Sequence, residues 1–325
     1  MQTTRRRFIG ITAAVSAAAL LPTRTWAQAK TEPVVWQGVA LGADAELRLY
    51  HPNRALAESL IQKSLAEVAR LEKIFSVYQD NSQVSRLNRA GSLHAPSADL
   101  LAVLNQVQRI HRITQGAFDP TVQVLWQQFA QHFSRQPNSQ TAPNVQAALR
   151  RVGWKNVRVN NQHIAFTQAN MAMTLNGIAQ GYITDRITQL LQNEGLTYAL
   201  VDMGETRHLD THKQHLQHAK IQNPKGNGTL QNVAIPVQNQ ALATSSGFGT
   251  PFDVAGKFTH LFDPRTGSSA PRYQSVSVLA NNAALADALS TAFAVSSESE
   301  IQAAIQQTGA KAWLVLLDGS VKMLG

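Results

Sequence analysis

The sequence predicts an α+β fold in which mixed sheets pack against helices, and three observations favour it. Hydrophobic residues make up 44% of the 325 positions and charged residues 15%, which is typical of a chain with a sizeable core. Some segments carry apolar residues at helical spacing, and others are short apolar runs of the strand type. The two kinds of segment mix without the regular alternation of a doubly wound parallel sheet, so α+β fits better than α/β.

The first 29 residues are predicted to be an export signal. Three arginines at 5–7 precede an apolar run that ends at Leu21, and small residues follow as far as Ala29. The order Thr-Arg-Arg-Arg-Phe-Ile also fits a twin-arginine signal. The alternative is a membrane anchor, but the run holds about 14 residues where a spanning helix needs roughly 20. Removing residues 1–27 takes away four arginines and no acid, so the formal charge falls from +9 to +5. That excess is spread out and does not indicate a nucleic-acid surface.

The elements of the first half follow from local patterns. Two short strands are predicted around Gly42, and residues 55–78 are predicted to be helical because apolar side chains recur every three or four positions. A polar, turn-rich loop is predicted to end at Gly91, before a second helix over 97–113. Residues 132–145 are low in apolar content and predict a mobile excursion.

The second half is predicted to begin with a strand pair and a tight turn into an amphipathic helix. The predicted elements, in order, are strands at 156–160 and 163–167, a turn and helix within 173–195, a buried strand at 198–204, a strand at 275–280, helices at 283–295 and 298–308, and a strand at 312–317.

A carboxylate and a hydroxyl, Asp287 and Thr291, stand four residues apart in an otherwise small and apolar stretch. On a helix that begins at Asn281 or Asn282, they lie on one face beside a strip of alanines. A carboxylate there is costly unless it is paired or bound to a cation, and these oxygens suit Mg²⁺ or Ca²⁺ better than zinc. The alternative is a solvent-facing aspartate with a threonine bonded to its own helix.

Three other segments carry weaker signals. Gly177 and Gly181 bracket a turn before a helix, where backbone groups can face a phosphate, although many ordinary turns look the same. His260, on a predicted strand, is either a general base near neutral pH or a hydrogen-bonded structural histidine. Phe118, in "GAFDP", either stacks on a flat ring or fills the core.

A polar segment rich in histidine offers a further candidate site. Its histidines are His208, His212, His215 and His218. On a helix, two of these imidazoles would come together and bind a transition metal; a solvated loop is the favoured alternative. The sequence has no cysteine, which excludes thiol catalysis, Cys-ligated zinc and disulfides. The common phosphate-binding, dinucleotide, zinc-protease and serine-hydrolase motifs do not occur.

The order of the motifs along the chain is more specific than any one of them. The segments "SVYQDNSQVSRLN", "GAFDPTV", "NGIAQGYITD", "LVDMGE", "ALATSSG", "THLFDPRTG" and "SVSVLANNAALADALSTA" follow one another. In this the sequence resembles the ApbE family of flavin transferases, over about residues 35–325. The resemblance implies a T-fold-like α+β domain over residues 30–325 that acts as a single catalytic unit.

The resemblance also implies a chemistry. Members split the pyrophosphate of FAD and attach FMN, through its phosphate, to a Thr or Ser hydroxyl of a target protein, with AMP leaving and Mg²⁺ usually required. The implied metal ligands are Asp287, Thr291 and the carbonyl of Gly177, and His260 is implied to assist deprotonation of the accepting hydroxyl. The implied flavin contacts are Leu41, Tyr78, Ala117, Phe118, Asp119, Thr174, Gln180 and Leu261.

The sequence departs from the family's pattern at three places near the implied site. Gln180 stands where many members have lysine, Thr174 where an acid is usual, and Gly204-Glu205 where two glycines are common. The absence of a lipoprotein cysteine, together with the predicted signal, implies a soluble periplasmic protein with an exported or membrane-bound target. The alternatives are a non-catalytic periplasmic FAD-binding protein, an FAD pyrophosphatase with water as acceptor, and an interaction protein that binds no flavin.

Overall fold

The computed structural model describes residues 32–224, 228–247 and 251–325. The predicted export signal at residues 1–29 lies outside the described residues. Within those ranges, no helix combines the length and the apolar composition needed to cross a bilayer.

An eight-stranded sheet forms the centre of the fold, and each adjacent pair of its strands is antiparallel. In spatial order the strands are β1 (Val34–Ala40), β2 (Ala43–Leu49), β6 (Tyr198–Asp202), β7 (Thr206–Asp210), β10 (Ala241–Ser246), β11 (Ser275–Ala280), β12 (Lys311–Val315) and β13 (Val321–Leu324). A second sheet has the order β3 (Ser92–His94), β5 (His163–Phe166) and β4 (Val157–Val159), and β8 (Gln217–Gln222) pairs with β9 (Thr229–Val237). Antiparallel pairing throughout the described sheets confirms the predicted α+β class.

Helices pack mainly against one face of the central sheet. Those in the described residues are α1 (Arg54–Phe75), α2 (Gln83–Ala90), α3 (Ala98–Ile113), α4 (Gln123–Arg135), α5 (Gln146–Leu149), α6 (Ala179–Asn193), α7 (Ala283–Phe293) and α8 (Glu298–Thr308). Five helices begin with a capping residue whose side chain accepts a hydrogen bond from a backbone N–H of the first turn. For α1, α2, α3, α7 and α8 these residues are Asn53, Ser82, Ser97, Asn282 and Ser297. Because Ser76 has an extended backbone, α1 ends at Phe75, three residues before the predicted boundary.

Three hydrophobic clusters hold these layers together. The main cluster lies between the central sheet and α1, α3, α6 and α7. The opposite face of the sheet is covered by the β8–β9 hairpin, where Ile221 and Ile235 belong to one cluster with Leu279 and Trp313. An aromatic cluster surrounds Phe129 on α4 and anchors the segment 252–262.

Two predictions of loop structure are wrong. The polar segment before Gly91 contains α2, which is capped by Ser82 and buries Val84 and Leu87 on one face. Two apolar side chains on eight residues are too few to dominate the hydrophobic pattern, although the serine cap and the C-terminal glycine are ordinary helix signals. The predicted excursion at 132–145 begins within α4, which continues as far as Arg135.

The predictions for two histidine-containing segments are also wrong. The segment that carries His208 is neither a helix nor a wholly solvated loop, because it contains β7 and the start of β8. His260 does not lie on a strand; it follows an isolated bridge between Pro251 and Thr259 in an irregular segment. Burial against other parts of the fold, which local alternation of residues does not reveal, decides both cases.

Candidate active site

The candidate site lies at one end of the central sheet, where turns from distant parts of the chain meet. The turn between β6 and β7 packs beside the start of β2: a Cβ on Gly204 would lie 3.4 Å from the Cβ of Ala43. Gly204 has φ +97°, and the side-chain nitrogen of Gln180 would lie 2.5 Å from that added Cβ. The turn therefore requires glycine, both for its backbone conformation and for its contact with Gln180.

Helix α7 is held against α6 by hydrogen bonds to a side chain of α6 and by a close backbone contact. The carboxylate of Asp185, on α6, accepts hydrogen bonds from the N–H groups of Ala283 and Ala284 at 2.8 and 2.9 Å. These bonds satisfy two of the N–H groups that a helix start leaves free. A Cβ on Gly181 would lie 2.3 Å from the carbonyl oxygen of Ala283, so the two helices touch through their backbones. The side chains on α7 therefore have a defined position relative to the turn before α6.

Asp287 is a buried carboxylate at this contact, with 3% of its surface exposed. One of its oxygens accepts a hydrogen bond from the Gly181 N–H at 3.1 Å. Burial, and then the neighbouring Asp185 carboxylate, raise the pKa of Asp287 from its ordinary value of 3.8 to about 7, against the effect of that hydrogen bond. No cationic side chain among the described residues offsets this rise. The solvent-facing alternative for Asp287 is thus wrong.

Thr291 lies one helical turn further along α7 and contacts the same glycine turn. A Cβ on Gly177 would lie 2.8 Å from the Thr291 hydroxyl oxygen. The hydroxyl of Ser245, on β10, lies 3.4 Å from that of Thr291 and 2.8 Å from that of Ser290. Residues 177–181 therefore contact both Asp287 and Thr291, and the group offers carboxylate, hydroxyl and backbone carbonyl oxygens, a donor set that suits Mg²⁺ or Ca²⁺.

His260 lies in a segment that borders this group. Its neighbours in the chain, Thr259 and Leu261, line a small cavity together with Ser245 and Tyr273. Of these lining residues, Ser245 contacts Thr291 through its hydroxyl at 3.4 Å. The role of His260 at the site stays a prediction.

Glu205 adds a second carboxylate that the sequence alone did not place here. Its carbonyl oxygen accepts a hydrogen bond from the Thr184 hydroxyl on α6 at 3.0 Å. Burial, followed by the carboxylates of Asp287 and Asp202, raises the pKa of Glu205 well above its ordinary value. In the sequence, Glu205 is notable only as a charged residue at a position where the resemblance implies glycine.

Three of the implied flavin contacts lie in or next to turns: Leu41, Tyr78 and Thr174. Leu41, in the β1–β2 turn, has φ 49°, and its N–H donates to Glu72 at 2.7 Å. Tyr78, which follows the end of α1, is 72% exposed, and its contact with a flavin stays a prediction. The hydroxyl of Thr174 accepts a bond from the Asn176 N–H at 3.2 Å, within the turn that leads to α6.

The three implied contacts at 117–119 are buried in the fold. The ring of Phe118 belongs to the main hydrophobic cluster, so the interpretation that it fills the core is the one observed. The carboxylate of Asp119 accepts three hydrogen bonds, from the N–H and hydroxyl of Thr121 and from the N–H of Trp154. These bonds build the turn, and contact of residues 117–119 with a flavin stays a prediction.

The histidine-rich segment gives no support to a transition-metal site. His208 is 2% exposed, both of its ring nitrogens lack a hydrogen-bond partner among the described residues, and burial lowers its pKa to about 4. His215 stacks on Tyr198 with ring centroids 4.1 Å apart. The described part of the chain contains no group of three or more His, Cys, Asp or Glu side chains arranged to hold a metal.

Comparison with known proteins assigns the family. The ApbE family model matches residues 41–314. The chain belongs to the ApbE family. A relative from Klebsiella pneumoniae (strain 342) named FAD:protein FMN transferase is 24% identical over 322 residues, covering 95% of this chain and 89% of the relative. A relative of the same name from Treponema pallidum (strain Nichols) is 29% identical over 280 residues, covering 78% of this chain and 76% of the relative.

This ApbE chain also shares its fold with solved structures. Its TM-score is 0.77 against the ApbE protein from Thermotoga maritima, at 24% identity over 90% of this chain and 97% of the other. Against the flavin transferase ApbE from Vibrio cholerae the TM-score is 0.73, at 21% identity over 90% and 96% of the two chains. The predicted ApbE-like fold is thereby confirmed.

Proposed function

We propose that this protein transfers FMN from FAD to a Thr or Ser hydroxyl of a target protein and releases AMP. Its membership of the ApbE family and the names of its relatives support flavin transfer. The observation that carries the proposal is the convergence at the glycine turn: Gly181 bonds Asp287, 106 positions away, and Gly177 contacts Thr291. A buried acid and an alcohol one helical turn apart therefore both contact the turn that leads into α6.

The residues present fit a hard divalent cation. Asp287 supplies a buried carboxylate, Thr291 a hydroxyl, and Gly177 a backbone carbonyl. Bound Mg²⁺ would supply Lewis acidity and neutralise charge on the FAD pyrophosphate. The Gly181 N–H holds one oxygen of Asp287, which leaves the other oxygen free to face the cation.

The transfer step requires a base for the acceptor hydroxyl, and we assign this role to His260. The acceptor oxygen forms a bond to the FMN phosphorus while the bond from that phosphorus to the AMP phosphate oxygen breaks. The electron pair of the broken bond leaves with AMP, and His260 takes the proton of the hydroxyl. An imidazole is suited to this task because its ordinary pKa lies near neutral pH.

The decisive experiment combines purified mature protein, FAD, Mg²⁺ and synthetic peptides that each carry one Thr or Ser. Covalent flavin is measured by fluorescence after denaturing separation and by intact mass, and AMP by chromatography. The matched variants are Asp287→Ala, Thr291→Val, and peptides in which the acceptor is replaced by Val or Ala. We expect equal amounts of flavinylated peptide and AMP from the wild type, and loss of both in Asp287→Ala.

Other outcomes of the same assay would favour the alternatives. Bound FAD without AMP on any acceptor, including candidate exported proteins, would indicate a non-catalytic FAD-binding protein. Free FMN and AMP without an adduct would indicate an FAD pyrophosphatase. Replacing Mg²⁺ by Ca²⁺ after treatment with EDTA tests which of the two cations supports transfer.

An exported location completes the proposal. The pattern of residues 1–29 and the lack of cysteine support a periplasmic protein that is soluble after signal cleavage and acts on an exported or membrane-bound target. Cell fractionation of the full chain, compared with the Arg5→Lys, Arg6→Lys double variant, tests it. Retention of both forms in the cytoplasm would contradict the export proposal and leave the chemistry untouched.

A further inference from the structure

A cleft lies between helix α2 and strand β3. Its lining residues are Arg86, Arg89 and Ala90 from the helix, and Ser92, Leu93 and His94 from the strand. The cleft has a volume of about 270 Å³, close to the lower end of the range of ligand pockets, which is about 300–1,000 Å³. None of the six residues belongs to the candidate active site. The cleft therefore offers a compact ligand a place outside that site.

One wall of the cleft carries two arginines without a neighbouring acid. Arg86 and Arg89 stand three residues apart on α2, so they share one face of the helix, and both are exposed. Among the described residues, neither arginine forms an ion pair with a carboxylate. Arg89 donates instead to the backbone carbonyl of Asp80 at 3.2 Å. The residues outside the described ranges include no Asp or Glu. Two like charges on one helix face repel each other, and no acid offsets them.

The other wall adds two imidazoles and a third arginine. The ring of His94 stacks on that of His163, with centroids 4.5 Å apart and 26° between the ring planes. Along the same sheet Ser92 pairs with Ala165, and Ala165 pairs with Arg158. Residues that pair directly across antiparallel strands point to the same side of the sheet. Arg158 therefore stands on the face that carries Ser92, and it adds a further positive charge there.

The elements that border the cleft carry no negative side chain. Residues 81–95 and 157–166, which contain α2 and the strands β3, β4 and β5, include no Asp or Glu. A cleft lined by charges of one sign attracts ligands of the opposite sign. Guanidinium and imidazole groups present N–H donors to the oxygens of an anion.

The two walls favour a tetrahedral anion. A phosphate has oxygens that reach donors on both walls at once, whereas the two oxygens of a carboxylate lie in one plane and suit a single guanidinium. We propose that this cleft binds a phosphate group, with Arg86, Arg89 and His94 as its donors. The group belongs to a small phosphate monoester or to the head group of an anionic lipid, and these two sources share the same chemistry.

Helix α2 contacts the segment that leads to the candidate active site through its other face. Asn88 stands two residues from Arg86 on a helix with 3.6 residues per turn, so the two side chains point in opposite directions. The Asn88 side chain donates to the carbonyl of Met173 and accepts from its N–H, each at 2.8 Å. Phosphate binding to the cleft is thus independent of the proposed flavin chemistry, and it can be measured without FAD or a divalent cation.

The test is titration calorimetry on the purified protein in EDTA at pH 7, with inorganic phosphate and glycerol phosphate as probes. We expect saturable binding of both by the wild type. The double variant Arg86→Gln, Arg89→Gln should bind them at least about 10- to 100-fold more weakly, because a hydrogen bond to a charged group is lost at each position. His94→Ala, on the opposite wall, should also weaken binding. Circular dichroism and thermal melts check that the variants fold.

The matched control is the double variant Arg109→Gln, Arg112→Gln. These arginines are also exposed and three residues apart on one helix, α3, but they do not line the cleft. The control should change phosphate affinity by less than about twofold, as expected for exposed charges away from the ligand. Sedimentation with phosphatidylcholine vesicles, with and without phosphatidylglycerol, separates the two sources of phosphate. Binding to phosphatidylglycerol vesicles alone, lost in the Arg86 and Arg89 double variant, would assign the phosphate to a lipid.

Four results would overturn the proposal. The first is no binding of either soluble probe or of the phosphatidylglycerol vesicles. The second is unchanged phosphate affinity in the Arg86 and Arg89 double variant. The third is equal weakening by the α3 control, which would show a general effect of net charge. The fourth is binding of succinate as tight as that of glycerol phosphate, which would show that the cleft does not distinguish phosphate from carboxylate. Each of them leaves the proposed flavin transfer untouched.

Discussion

Replacing Asp287 by asparagine should stabilise the metal-free protein while it removes the response to cations. The amide has nearly the same shape as the carboxylate, and its oxygen still accepts the Gly181 N–H bond of 3.1 Å. What changes is the charge, which in the wild type is buried at 3% exposure. A group retained for binding a cation is expected to destabilise the fold in the absence of that cation.

The size of the effect follows from the pKa of Asp287. Each pH unit between the ordinary value of 3.8 and the folded value of about 7 is worth about 1.4 kcal/mol, which gives about 4 kcal/mol as an upper limit. The amide NH₂ group needs a partner of its own, and this reduces the expected gain to about 1–3 kcal/mol. For a chain of this size the melting temperature should rise by about 2–8 °C.

The pH dependence of the free energy of unfolding determines when Asp287→Asn is more stable than the wild type. A pKa that is raised by folding means that the folded state binds the proton more tightly, so the stability contributed by Asp287 is complete below pH 3.8 and lost as the pH rises to about 7. The advantage of Asp287→Asn should therefore be absent near pH 4 and complete at pH 8. Thermal melts in EDTA at both values measure it.

The cation response and a control complete the test. At about 100 times its dissociation constant, Mg²⁺ should stabilise the wild type by about 2.7 kcal/mol at pH 8 and leave Asp287→Asn unchanged. Asp119→Asn is the control, because Asp119 is also buried but accepts three hydrogen bonds. It should lose about 1–3 kcal/mol. A melting temperature of Asp287→Asn below that of the wild type at pH 8 in EDTA would refute the reasoning.

Three further predictions concern the contacts around the site. Gly181→Ala places a Cβ 2.3 Å from the Ala283 carbonyl oxygen. It should therefore lower the free energy of unfolding by about 1–3 kcal/mol and weaken Mg²⁺ binding. Stability equal to that of the wild type would show that α6 and α7 can move apart without cost. His260→Ala should slow flavin transfer about 10²- to 10⁴-fold with FAD affinity unchanged, and an unchanged rate would exclude it as the base. Burial lowers the pKa of His208 to about 4, so protonation of this imidazole should destabilise the folded protein below pH 6. His208→Phe should therefore lose less stability in acid than the wild type, as measured by thermal melts at low pH. An identical acid profile would show that His208 does not cause the loss.

Much of the fold was readable from local patterns. The helices observed at 98–113 and 298–308 follow the predicted spacing, and serines at both starts act as caps. The helix over 83–90 was missed because it buries only Val84 and Leu87, and the segment of His260 was misassigned because a single bridge holds it instead of a strand ladder. Both errors arise where tertiary contacts outweigh the local pattern.

The sequence by itself determined that Asp287 and Thr291 share a helix face, because residues four apart on a helix always do. It also determined the order of motifs that places the chain in the ApbE family. Only the tertiary structure decided that Asp287 is buried and that the glycine turn meets it from 106 positions away. The reason is physical: helix geometry is written in neighbouring residues, whereas the burial of a charge depends on which distant backbones pack around it.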